Sequence, residues 1–90
     1  MNAQRIKNIR DRLTAALEPI ELKITDESHK HVGHEGAKSG RGHFHVHIAS
    51  NQFLNLSQVH RHRLIYAAIG DLMDTDIHAL SINAVAPTET

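Results

Sequence analysis

His43-Phe44-His45-Val46-His47-Ile48, HFHVHI, decides how this chain is read. Imidazoles and apolar side chains alternate with period two, as in a β-strand whose successive side chains point to opposite faces. Phe44, Val46 and Ile48 therefore face a core. His43, His45 and His47 share the other face of the sheet, where ordinary solvent-facing strand residues are the plainest reading.

Upstream, Ile20 to Thr25 reads Ile-Glu-Leu-Lys-Ile-Thr, the same alternation, and predicts an earlier strand. Between the two lies Asp26 to Gly42, DESHKHVGHEGAKSGRG, polar and glycine-rich. It is far longer than the roughly two to five residues of a hairpin loop, and long loops tend to carry function. Still earlier, Ile6, Ile9, Leu13, Ala16 and Leu17 fall on one face of a helix over Gln4 to Glu18, ended by Pro19. Its other face, with Arg5, Lys7, Arg10, Asp11 and Arg12, reads as solvated.

Downstream, Ser57 is placed to cap a helix running to about Met73, with Ile65, Ala68, Ile69 and Leu72 on one stripe and Leu64 beside it. Gly70 weakens its last turn or breaks it. After a turn at Asp74 to Asp76, Ile77 to Val85 predicts a third strand with Leu80, Ile82 and Ala84 on one face. The polar tail, 86–90, is expected to fray.

This order predicts an α+β fold, a three-stranded mixed sheet with helices packed on one face. One domain spans 1–90, with an ordered core over about 4–85. Strands one and two pair most simply as antiparallel neighbours. The helical segment, about 17 residues at about 1.5 Å each, brings strand three back parallel to strand two. Strand three then starts at the loop end, so His78 lies near His29, His31, His34 and His43. His78 shares the parity of Leu80 and Ile82, which turns its ring toward the helix-covered side. A structural histidine bonded to a backbone carbonyl is the plain alternative to a ligand there.

Ninety residues allow one small core. The complete lack of cysteine excludes disulfides, thiolate nucleophiles and cysteine metal motifs, leaving nitrogen and oxygen as the only donors. Ten basic and ten acidic residues give a formal charge of zero, unlike the positive excess of a dedicated nucleic-acid binder. Nine histidines make the chain cationic just below neutrality. No run reaches the roughly 20 apolar residues of a membrane span, and MNAQRIKNIR lacks the apolar stretch of a secretory signal. A cytoplasmic protein without membrane contact is expected.

DESHKH in the loop, HF opening strand two, RHRLIY at Arg61 to Tyr66 and IHALSI at Ile77 to Ile82 together resemble the BolA family, with similarity from the first helix to Ala84. The resemblance implies an α-β-β-α-α-β order similar to a type II KH domain, with the second helical segment split in two. The family lacks the phosphate-clamping GxxG between helices, and so does this chain. Gly33-His34-Glu35-Gly36 fits the formula but sits in the strand-connecting loop.

The resemblance also implies a partner, a monothiol glutaredoxin with a CGFS motif, and a 2Fe-2S cluster shared with it and with glutathione. The implied ligands are His78 and a loop histidine. His31 is the closest match in DESHKH, and His34 is next because this loop has an extra HVGH step. Residue chemistry agrees, since imidazole can replace thiolate on one iron of such a cluster. A cysteine-free chain must borrow thiolates, so no cluster is expected to stay on the isolated chain. Alone, the chain is expected to be a monomer or weak homodimer. Histidine ligation should weaken as acid protonates the imidazole lone pair.

Other readings remain open at this point. RHRLIY is either a helix anchored by His62 and its basic flanks or a partner contact. A DNA-binding regulator would use Arg61, Arg63 and the basic face of the first helix, with only one Tyr and two Phe available for stacking. The histidine-rich loop could take zinc, nickel or copper adventitiously. A hydrolase set of Ser28, a loop histidine and Asp26 lacks any sign of an oxyanion hole, so no enzyme is expected.

Overall fold

Strand β2 (Gly42–Ala49) lies between β1 (Glu21–Asp26), its antiparallel neighbour, and β3 (Ile77–Val85), its parallel one. The computed structural model describes residues 2–28 and 41–89. Val46 stands opposite Ile24 on one side and Ile82 on the other, so the alternation seen in the sequence is buried from both flanks. Phe44, Val46 and Ile48 are all buried.

Helices cover that face. α1 (Asn2–Leu17) buries Ile9, Leu13 and Leu17, three positions four apart, against the sheet and against α2 (Gln58–Ile69), which buries Ile65 and Ile69. Phe53, from a 3-10 turn over Asn51–Phe53, completes the core with Leu72, Ile77, Ala84 and Ala86. Each buried Leu, Ile, Val or Phe among them contributes roughly 1.5–3 kcal/mol before the entropy of ordering it, and the alanines less. This is the predicted α+β fold in the order α-β-β-α-α-β. No helix among the described residues is long and apolar enough to cross a membrane.

Ser57 caps α2 as its position predicts, its Oγ accepting the His60 amide at 3.2 Å. The helical segment breaks at Gly70, where φ is +56°, a conformation that disfavours any residue with a Cβ. A short helix, α3 (Leu72–Thr75), follows. Arg12, exposed and expected only to be solvated, bridges the break. It donates to the Ile69 carbonyl at 2.9 Å and pairs with Asp71 at 3.0 Å. A cation at the carbonyl end of a helix complements its dipole.

The tail departs from expectation. Ala86 is buried, and Pro87–Glu89 forms a 3-10 turn rather than a frayed end, because Glu89 is held by Arg61. Helix α1 likewise starts at Asn2, earlier than the sequence periodicity suggests.

Candidate functional site

Parallel pairing of β2 with β3 brings their first residues to the same end of the sheet. The register there is irregular. Gly42 opposes Ile77 but His43 opposes Ala79, so His78 is an extra residue in β3. A one-residue bulge reverses which face each side chain takes. Ile77 is buried, His78 and Ala79 are both exposed, and the alternation resumes with Leu80, Ile82 and Ala84 inward. This corrects the expected parity of His78. Its ring is on the rim and open to solvent, not at the helix-covered core margin.

Gly42 allows the close packing beside this irregularity. A Cβ there would sit 2.6 Å from two ring atoms of Phe44. The Gly42 amide donates to the Asp76 carbonyl at 3.0 Å, tying the start of β2 to the turn before β3.

Among the described residues, two imidazoles meet at this rim. The rings of His43 and His78 have centroids 5.0 Å apart and are tilted by 49°. His43 is only 7% exposed, so it packs beside His78 rather than facing solvent as the alternation suggests. Its amide donates to Ser28 Oγ at 3.0 Å, and its carbonyl accepts the Glu27 amide at 2.7 Å. Asp26 accepts the Ser28 amide at 2.9 Å and the Asn2 side chain at 2.6 Å. Ser28 and Asp26, paired on paper as a hydrolase set, are thus engaged in turn and helix-end hydrogen bonds.

Arg41 stands over the same rim. Its Nη1 lies 3.4 Å and 3.5 Å from the carbonyl oxygens of Met73 and Asp74, and its Nη2 lies 3.5 Å from His78 Nδ1. Nothing in the sequence pattern singles out Arg41, because its role depends on where α3 ends in space. His43 carried a signal, being first in HFHVHI, but its burial did not.

His31 and His34, the predicted loop ligands, lie within 29–40, outside the described residues, as does His29. Among the described residues no group of three or more His, Asp or Glu gathers for a metal ion. The described rim therefore offers imidazole nitrogens but not a complete coordination shell. His45 and His47 are half-buried and engaged further along the sheet. His45 Nδ1 contacts Ser81 Oγ, while His47 lies between Glu21 at 2.6 Å and the Asn83 amide at 2.9 Å.

The predicted DNA contacts separate. Arg63 is exposed, but Arg61 is only 4% exposed. Arg61 donates to the carbonyls of Leu56 and Ala84 at 3.0 Å each and to both Glu89 oxygens at 2.6 Å and 2.8 Å. Hydrogen bonding from Arg61, then from the Ala86 amide, lowers the Glu89 pKa from 4.5 to about 2. The same hydrogen bond raises that of Arg61. Arg61 is thus a structural clamp, and a buried guanidinium so occupied is not presented to a phosphate backbone. The anchoring reading of RHRLIY, by His62 and its basic flanks, holds for the flank at Arg61.

Known proteins resemble this chain in sequence and in fold. A family model described as BolA-like protein matches residues 13–89. The chain is 42% identical over 89 residues to Protein BOLA1, chloroplastic, of Arabidopsis thaliana, covering 96% of this chain and 56% of that relative. It is 34% identical over 77 residues to the DNA-binding transcriptional regulator BolA of Escherichia coli, covering 86% and 70%. The solved BolA domain of SufE1 from Arabidopsis thaliana is similar with a TM-score of 0.83 and 38% identity, covering 100% of this chain and 99% of that one. The chain thus spans little more than half of the chloroplastic relative. The family match takes in all three strands and the helices that return the chain to the rim, and on that match the chain belongs to the BolA family.

Proposed function

We propose that this protein is a non-enzymatic partner of a monothiol glutaredoxin carrying a CGFS motif. The two share a glutathione-assisted 2Fe-2S cluster, handled as cargo in iron-sulfur trafficking or in iron and redox regulation. One observation carries this reading: His78 is turned out of the sheet by a bulge, exposed beside a second imidazole, in a family member that has no thiol of its own.

Imidazole is a competent ligand for one iron of such a cluster, and the other donors are ordinarily thiolates. His78 supplies one nitrogen in this reading, and His31, or His34 after it, the second. The glutaredoxin cysteine and glutathione supply sulfur. His43, buried against His78, limits the positions that ring can take.

Mixing the pure protein with cluster-loaded CGFS glutaredoxin tests the reading through visible absorption and circular dichroism. A new spectrum is expected, lost most completely in His78→Ala and altered in one of His31→Ala or His34→Ala. No complex, or a spectrum indifferent to His78→Ala, overturns the assignment.

A DNA-binding regulator is the second reading, on the strength of the Escherichia coli relative's name. Burial of Arg61 and the zero formal charge weigh against it. The proposed setting is the cytoplasm, with the free chain a monomer or weak homodimer.

A further inference from the structure

Arg41 stands one residue before β2, and its guanidinium spans two parts of the rim. Nη1 faces the Met73 and Asp74 carbonyls at the end of α3, while Nη2 lies 3.5 Å from His78 Nδ1. A guanidinium has donors and no acceptor. The nitrogen of His78 that faces it must therefore present its lone pair, which leaves the proton of the neutral ring on Nε2. The planar fork lets one side chain meet the carbonyls and the ring together, which a point-like ammonium cannot do as well.

A metal needs a lone pair from the same ring. Ligation through Nδ1 requires the guanidinium to leave that nitrogen. Ligation through Nε2 moves the ring proton to Nδ1, where an N–H would face the N–H groups of Arg41, donor against donor, and the guanidinium must again withdraw. We propose that Arg41 is a positioning residue that latches His78 in the free chain, so that cluster capture is coupled to release of the guanidinium from the rim. This rests on His78 acting as a cluster ligand, as proposed above.

Competition for the lone pair, rather than the field of the arginine, sets the sign of the effect. An oxidised 2Fe-2S core bearing two thiolates and two neutral imidazoles carries no net charge, so removing a nearby cation changes its binding little. Removing a competing hydrogen bond should tighten it. For one long, solvent-exposed bond the gain is about threefold to tenfold in affinity.

The test compares the unaltered protein with Arg41→Ala, His78→Ala and the double variant, each titrated with cluster-loaded CGFS glutaredoxin and followed by visible circular dichroism. Arg41→Ala should bind about threefold to tenfold more tightly, with no such gain in the His78→Ala background. A second readout needs no cluster: nitrogen-15 shifts of the His78 ring in the free chain at about pH 8, where imidazole is ordinarily neutral. The unaltered protein should show an unprotonated Nδ1, and that preference should weaken in Arg41→Ala. Should Arg41→Ala misfold by far-ultraviolet circular dichroism, Arg41→Lys, which keeps the cation but not the fork, should show the same changes. Equal or weaker binding by the Arg41 variant, with His78→Ala still abolishing the spectrum, overturns the latch and leaves the ligand assignment standing. A complex indifferent to His78→Ala removes the ligand assignment and the latch with it.

Discussion

Arg61 holds a full charge inside a small domain because its donors meet acceptors: two backbone carbonyls and both oxygens of Glu89. Its guanidinium also lies 5.9 Å from the centre of the Phe53 ring. Removing one member of such a set leaves the others buried without partners, which costs more than the bond itself. Glu89 makes this measurable. Its pKa is about 2 in the folded chain against an ordinary 4.5, so its contribution to stability is complete above about pH 5 and is lost as pH falls toward 2. The stability gap between the unaltered protein and Glu89→Gln, measured by urea unfolding across pH, should be constant above about pH 5 and close below it. Arg61→Ala should destabilise the chain more than Glu89→Gln does, since it also strips donors from the Leu56 and Ala84 carbonyls.

At the scale of elements, two glycines set where segments stop and how they approach. Gly70 ends α2 with φ +56° and ψ −128°, and a Cβ there would stand 3.3 Å from Arg12 Nη1. Gly70→Ala should destabilise by about 1–3 kcal/mol in chemical denaturation. Gly42→Ala forces the Phe44 ring aside and should cost a similar amount, about 1–3 kcal/mol. Only the second should also perturb the nuclear magnetic resonance signals of His78, because Gly42 adjoins the register shift and Gly70 does not. The split of the helical segment was foreshadowed by Gly70 in the sequence. The bulge was marked only by Ala79-Leu80, two apolar neighbours that interrupt the alternation of IHALSI and put Ile77 out of phase with Leu80; its place emerges against the register of β2.

For the whole molecule, helices cover one face of the sheet while the other carries a polar ladder: Glu21, His47 and Asn83 join three strands, and His45 meets Ser81. A formal charge of zero leaves little electrostatic drive toward a polyanion. The free chain at neutral pH and about 0.15 M salt should therefore not retard duplex DNA in a gel shift. Any shift seen at lower salt should fall with Arg63→Ala at unchanged stability, whereas Arg61→Ala should act through unfolding. A tight, salt-tolerant shift would favour the regulator reading instead.

Element order, strand pairing and most of the core were legible in the sequence because they follow from local periodicity: HFHVHI, the Ile9-Leu13-Leu17 stripe and the Ser57 cap each announce themselves within a few residues. That any thiolate in the proposed cluster site would come from another molecule follows equally from composition, as no arrangement of a cysteine-free chain supplies one. The tertiary structure alone decided that His78 faces out, that His43 is buried beside it, that Arg41 reaches its ring and that Arg61 turns inward to Glu89. The physical reason is the same in each case. A one-residue slip between paired strands reverses a side chain and shows locally only as the adjacent apolar pair Ala79-Leu80, while a guanidinium finds its acceptors among carbonyls and carboxylates tens of residues away, which leaves no mark on the local pattern.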